Sequence, residues 1–163
     1  MAGSFSLQIA AWIAKTKANQ DLAVRAILME IDDRLVQRSP VGDGAYWQRP
    51  PPKGYSGGRF RGAWMIAAGS PPTGVSGTID KTGSATLAAH ASTIGTAKAG
   101  QVFYLVNNLP YAKRIEEGWS RLAPVGLVAL TVVEFNTIVD DAVNGVRAGT
   151  SAQDFSQGFS TYS

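Results

Sequence analysis

The feature that most constrains this chain is where regular structure has to stop. Ser39-Pro40 closes an apolar pattern, because the residue before a proline avoids the helical region. Val41–Gly58 then carries three consecutive prolines, Pro50, Pro51 and Pro52, among several glycines, so it is no regular element. Everything with a usable period lies on either side of that stretch, which reads as a long loop, 41–58.

Before the break, Val24, Ile27, Leu28, Ile31 and Leu35 recur at three- and four-residue spacing, which predicts an amphipathic helix over 20–37. Asn19 is its expected N-cap. Asp21 with Arg25 and Glu30 with Arg34 are acid-to-base pairs four residues apart that support a solvated opposite face. Residues 5–17 form either a separate turn or an extension of this helix.

After the break, Phe60–Ala68 reads as a strand with Phe60, Gly62, Trp64 and Ile66 on one face. Gly69-Ser70-Pro71-Pro72 ends it, and a weaker strand is expected at Val75–Ile79. Ser84–Ala97 has Leu87, Ala91 and Ile94 at helical spacing, with Asp80, Thr82 or Ser84 as cap and Gly100 as a terminator. Val102–Asn107 is a β-branched and aromatic run bounded by Gly100 and Asn107-Asn108, hence a strand. Pro110 and Gly118 frame a short helix, 110–117. Within 125–147 the run Leu-Val-Ala-Leu-Thr-Val-Val-Glu-Phe, 127–135, has strand composition, but Leu127, Leu130, Thr131, Glu134, Ile138, Ala142 and Val146 hold a helical period with Pro124 at its start, so a long helix is expected. The order implies an α+β fold: a small antiparallel or mixed sheet packed by a long N-terminal helix, a middle helix and a long C-terminal helix. A single domain, 1–147, accounts for the length, and the Gly/Ser/Thr-rich 148–163 is expected to be a flexible tail.

Chemistry is sparse. Of 163 residues none is cysteine and one, His90, is histidine. That argues against disulfides, thiol nucleophiles and a metal site built within one chain. No Gly-x-Ser-x-Gly elbow accompanies His90, which is expected to be a half-buried or surface helical residue. Gly69–Gly74 lacks the Lys-Ser/Thr of a phosphate loop and reads as a turn. Asp32-Asp33, Glu116-Glu117 and Asp140-Asp141 point about 100° apart on a helix, so they suit solvated faces better than paired catalysis. The reading is therefore no enzyme, no catalytic residue, no cofactor and no metal.

The net charge of +3 and the pI of about 9.3 permit a nucleic-acid surface without arguing for one. Gly57-Gly58-Arg59-Phe60-Arg61-Gly62 interleaves Arg, Gly and an aromatic as single-strand binders do. Strand alternation, with Arg59 and Arg61 outward and Phe60 inward, explains it without a ligand. Trp64 reads as core. Trp47 and Trp119 are hard to bury in one small domain and suit a protein interface. No stretch is long enough to span a bilayer, and the N-terminus has no signal-peptide pattern, so a soluble, unexported protein is expected.

Four blocks in order carry a resemblance. They are Arg38-Ser39-Pro40-Val41-Gly42-Asp43; Gly57-Gly58-Arg59-Phe60-Arg61-Gly62-Ala63-Trp64, preceded by Pro51-Pro52-Lys53-Gly54-Tyr55; Val106-Asn107-Asn108-Leu109-Pro110-Tyr111-Ala112 running to Glu116-Glu117-Gly118; and Ala123-Pro124-Val125-Gly126. Over about residues 20–147 the chain resembles the neck, or tail-completion, proteins of tailed bacteriophages. Their pattern is Ser-Pro-Val, an acidic turn, Gly-x-Phe/Leu-Arg-x-x-Trp, Asn-x-x-Pro-Tyr-Ala, Glu-x-Gly and a helix opened near Ala-Pro-x-Gly. Simpler members run from Ser-Pro-Val-Asp-Thr-Gly almost directly into the Arg-x-x-Trp strand, whereas this chain inserts a long loop after Gly42-Asp43-Gly44.

The resemblance implies a structural virion protein made in the host cytoplasm, a ring-forming subunit at the head–tail junction (neck, tail completion or tail terminator). Its implied partners are itself, as a hexamer or similar ring, other neck and tail proteins, and DNA passing through the channel; a membrane is not among them. The candidate interface residues are Tyr46, Trp47, Tyr55, Arg59, Arg61, Tyr111, Arg114, Glu117 and Trp119. Loop 41–58 and Pro110–Trp119 are the expected patches of a heterologous contact. The alternative is a small basic nucleic-acid-binding protein.

Overall fold

A computed structural model describes residues 2–44, 50–51 and 53–149, the first four of them as backbone only. Within these the chain forms α1 (Ala2–Gln37), α2 (Arg59–Gly62), β1 (Trp64–Ala68), α3 (Ser84–Gly95), β2 (Phe103–Asn107), α4 (Ala112–Glu116), α5 (Val128–Val133) and α6 (Phe135–Arg147). The α+β expectation holds: a two-stranded antiparallel sheet sits against a long N-terminal helix, a middle helix and a C-terminal helical run. The tail expected at 148–163 lies almost wholly outside the described residues.

The N-terminal helix does not start at Asn19. After Gly3 no glycine or proline interrupts the chain before Gln37, and Ala10, Ala11, Ala14, Lys15, Lys17, Ala18 and Gln20 are strong helix formers, so the capping preference of Asn19 is overridden. Its end is as expected. Ser39 donates its hydroxyl to Leu35 O at 2.6 Å and seals the last turn.

Two expected strands are corrected. Residues 59–62 form a helical turn, and the strand begins only at Trp64. Glycines four residues apart explain this. A Cβ on Gly58 would lie 2.6 Å from the Asp80 backbone, and one on Gly62 would lie 2.4 Å from Thr78 O. The two bare positions share one face of the turn, and the 78–80 backbone crosses directly over them, with Asp80 N donating to Gly58 O at 3.1 Å. Residues 75–79 therefore follow α2 as irregular chain and add no strand. The sheet pairs Trp64 with Asn107, Ile66 with Leu105 and Ala68 with Phe103.

The middle helix starts at Ser84, with Gly83 as its N-cap, and ends before the expected Ala97. Asp80 still serves it from outside. Its carboxylate accepts from the backbone nitrogens of Gly83 (2.8 Å) and Thr86 (2.9 Å) and from both threonine hydroxyls, Thr82 and Thr86. Burial opposes a charge there, but these donors outweigh it and hold the Asp80 carboxyl at about 2. The C-terminal run is helical as expected, but it opens at Val128 rather than near Pro124 and is divided at Glu134.

The main core gathers Leu35, Val36, Phe60, Ala63, Trp64, Leu109, Ala123 and Leu127. Leu28, Ile94 and Ala97 form a second cluster between α1 and α3, and Ala26 with Ala142 a third between α1 and α6. Thus α1 is the spine, with α3 on one side and α6 on the other. Glu134 fixes α6 to it by accepting from Arg38 at 2.8 Å and from Arg34, which also binds Glu30. The expected Asp21–Arg25 pair is replaced by two anchors to the same turn: Arg25 donates to Ala97 O, and Asp21 accepts from Ala99 N.

Candidate interface surface

The expected interface residues separate into three groups. Tyr46 and Trp47 lie outside the described residues. Tyr55, Arg59 and Tyr111 come together: with Phe60, Ile79 and Ile115 they line a cleft of about 560 Å³ beside Pro40. Phe60 forms its floor, edge-on to Trp64 and tilted against Tyr111, with 6.2 Å between centroids in both pairs. Burial pushes the Tyr111 hydroxyl up, opposed by the Arg59 charge.

Arg61 goes elsewhere. Its guanidinium donates to Lys81 O (2.6 Å), Gln37 O (2.7 Å) and Ser39 O (3.0 Å), tying the end of α1 to the 78–81 crossing. It is a fastener of the fold, and the outward position expected on a strand face is corrected accordingly.

The third group sits on a rigid corner. Arg114 lies over the Trp119 ring, 5.4 Å from its centroid, and Glu117 is 3.7 Å from Lys113. Trp119 itself is 74% exposed. The corner is held by unusual backbone geometry. Gly118 has φ +83, and its amide and that of Trp119 donate back to Ile115 O and Arg114 O, a double-bonded helix end. A Cβ on Gly118 would lie 2.4 Å from Pro124 O. Glu116 completes the joint by accepting from the amides of Leu127, Val128 and Ala129 at 2.8, 3.0 and 2.8 Å. Burial raises the Glu116 carboxyl, but these three amides bring it below its ordinary value. Glu116 is thus a helix cap, not part of a solvated acidic pair.

This joint decides which side chains face out. Ala123, Leu127 and Thr131 turn inward and are buried. Leu122, Val125, Val128, Val132 and Val133 turn outward with Trp119 and are exposed, Val133 to 81%. A helix apolar on both sides can bury only one of them in its own domain. The other side is a contiguous-sequence apolar face of the kind that marks contact with another molecule. Strand composition at 127–133 was the visible signal of this double-sided character.

The remaining polar feature is interior. His90 is buried, not half-exposed, and Asp32, expected on a solvated face, is 1% exposed. His90 Nδ1 lies 2.8 and 3.0 Å from the two Asp32 carboxylate oxygens, and Nε2 lies 3.1 Å from Trp64 O. A carboxylate and a carbonyl are both acceptors, so both ring nitrogens carry protons and the ring is an imidazolium. Burial pulls the His90 pKa down, but the bond to and charge of Asp32 outweigh it and raise it. Trp64 extends the chain by donating Nε1–H to Ser39 Oγ at 2.7 Å. With both nitrogens engaged inside the core, the ring is placed as a structural bolt between α1, α3 and β1. The Asp140-Asp141 pair is exposed, as expected.

Among the described residues, no group of three or more His, Cys, Asp or Glu side chains could hold a metal ion, and no helix is long and apolar enough to cross a membrane. Comparisons with protein-family models, curated proteins and solved structures found no match.

Proposed function

We propose that this chain is a structural subunit of the head–tail junction of a tailed bacteriophage, assembling as a closed ring. The observation that carries the reading is the outward apolar face from Trp119 to Val133, held rigid by Glu116 and Gly118. A ring subunit needs two unlike patches, one meeting the other on its neighbour. The Trp119–Val133 face supplies one, and the Tyr55–Arg59–Tyr111 cleft supplies a concave second. The order of the Ser-Pro-Val, Gly-Arg-Phe-Arg-Gly-Ala-Trp, Asn-Asn-Leu-Pro-Tyr-Ala and Ala-Pro-Val-Gly blocks is what ties such a ring to a phage neck. Other neck and tail proteins, and DNA in the channel, are its proposed further partners.

The test is the mass of the purified protein in solution together with negative-stain images. Rings of about six copies support the reading. A monomer at every concentration that instead shifts DNA with a steep salt dependence would favour the nucleic-acid alternative. Arg61 weighs against that alternative, since three backbone carbonyls already occupy it.

A further inference from the structure

The α1 helix outruns the domain. Its residues 6–20 are exposed except for Thr16, and among the described residues its first hydrogen bond to the rest of the fold is made by Asp21, which accepts from Ala99 N. This arm carries an apolar island. Ile9, Trp12 and Ile13 are all exposed, Trp12 to 66%. At about 100° per residue they fall within an arc of about 100°. Thr16 lies inside the same arc, its hydroxyl turned back onto Trp12 O at 2.9 Å. Lys15 flanks the arc on one side and Lys17 on the other, and Asn19 and Gln20 close it. From Ala2 to Gln20 these two lysines are the only charged side chains.

The complementary surface lies at the other end of α1. Val128, Val132 and Val133 are exposed on α5. Helical hydrogen bonds cross the division at Glu134, from Glu134 N to Leu130 O and from Ile138 N to Glu134 O, so the face runs on into α6. Four-residue steps take it from Val128 and Val132 to Asn136 and Asp140, all exposed. Between Leu122 and Val146 the charged residues are Glu134, Asp140 and Asp141, all acidic. Glu134 is bound by Arg34 and Arg38, whereas among the described residues Asp140 and Asp141, like Lys15 and Lys17, have no ion-pair partner. Both surfaces therefore run apolar first and charged second along the chain, one basic and the other acidic. Parallel alignment matches both halves at once.

The two surfaces cannot meet within one chain. Glu134 binds Arg34, and Trp12 lies 22 positions before Arg34 in one unbroken helix, about 33 Å away. Two unlike faces that fit each other, and that one chain cannot bring together, are what a head-to-tail contact between copies requires. An anionic lipid surface also attracts basic amphipathic helices, but it calls for clusters of about four to eight Lys or Arg, and the arm has two.

We propose that the arm of one copy packs in parallel on the α5 face of the next. Ile9, Trp12 and Ile13 then cover Val128, Val132 and Val133 of the neighbour, and Lys15 and Lys17 point toward its Asp140 and Asp141. This rests on the ring reading and divides the apolar face: α5 goes to the arm, and Trp119 and Leu122 are left for the cleft.

The chain contains no cysteine, so introduced thiols are its only ones. Full-length I13C and V133C proteins are mixed as dilute subunits, concentrated and mildly oxidised. The mixture should give a disulfide-linked dimer on a non-reducing gel that neither protein gives alone. A14C, with its thiol on the far side of α1, should give none with V133C. A dimer of I13C alone would mean that arms pair with arms, and rings that form without the link would leave the ring reading standing and the arm outside it; either overturns the proposal. A native chain that stays monomeric at every concentration overturns both readings. Charge gives an independent readout. Reversing the acids, D140K with D141K, should raise the concentration at which rings form about tenfold, and adding K15D with K17D should bring it back. All four side chains are exposed, so the melting temperature of the subunit should hold. Reversal without effect, or flotation of the native protein with phosphatidylserine vesicles in place of rings, also overturns the proposal.

Discussion

Asp32 and His90 form an ion pair in the core, and removing either partner strands the other. Breaking such a pair costs about 3–5 kcal/mol, so Asp32→Asn and His90→Ala should each lower the urea midpoint sharply. The pH dependence has a definite sign. The folded pKa of His90 is raised above its ordinary value, so its contribution is complete below about pH 6.5, the unfolded value, and is lost as pH rises through the folded pKa. Stability of the native protein should fall as pH rises through that raised pKa, and Asp32→Asn should flatten that fall; an equal slope in both proteins would show that the pair is not its source. Little of this was legible beforehand. The partners are separated by 58 positions, and the alanines around His90 hide which side of α3 faces inward. Trp64 as core was legible, because a large aromatic after an apolar turn has few other places to go.

Elements were readable where one period dominated. The helix over 20–37 and the helical character of 125–147 follow from spacing, and the β2 strand from its β-branched and aromatic composition. The α2 turn was missed because Phe60, Gly62, Trp64 and Ile66 alternate as a strand would, while Gly58 and Gly62 mark a backbone crossing that only the 78–80 chain explains. Gly62→Ala should therefore destabilise by about 1–3 kcal/mol, the cost of overpacking, measured by thermal unfolding. Caps give a second expectation. Asp80→Ala removes five hydrogen bonds at the start of α3 and should cost about 1–2 kcal/mol as a lost cap. Because the folded Asp80 carboxyl sits at about 2, its stabilisation is present above about pH 3.9 and disappears as pH falls through 2. Acid unfolding of native protein and variant should converge there.

For the whole molecule, the exposed face and the core make separable demands. Trp119 is outside the core, so Trp119→Ala should leave the melting temperature of the subunit nearly unchanged. If it anchors the ring contact, the same substitution weakens assembly by about 2 kcal/mol, read as a roughly thirtyfold shift in the concentration at which rings form. A lower melting temperature with unaltered assembly would remove Trp119 from the interface. The α+β architecture was foreseeable from the order of periods. The double-sided α5 was legible only as strand composition laid over a helical period, which did not say which side would stay exposed.

The salt link between Arg34 and Glu134 joins positions 100 residues apart. Translation runs from the N-terminus, so the spine helix leaves the ribosome long before its α6 partner exists. At about 5–20 residues per second, Ala26, Ile27, Glu30 and Arg34 wait about 5–20 s with their α6-facing side open to solvent. α3 emerges first and covers the opposite side, so the nascent chain passes through a stage in which half of its spine is packed. That stage is when a chaperone or a stray neighbour has access to α1, and it closes only once Glu134–Ala142 has been made.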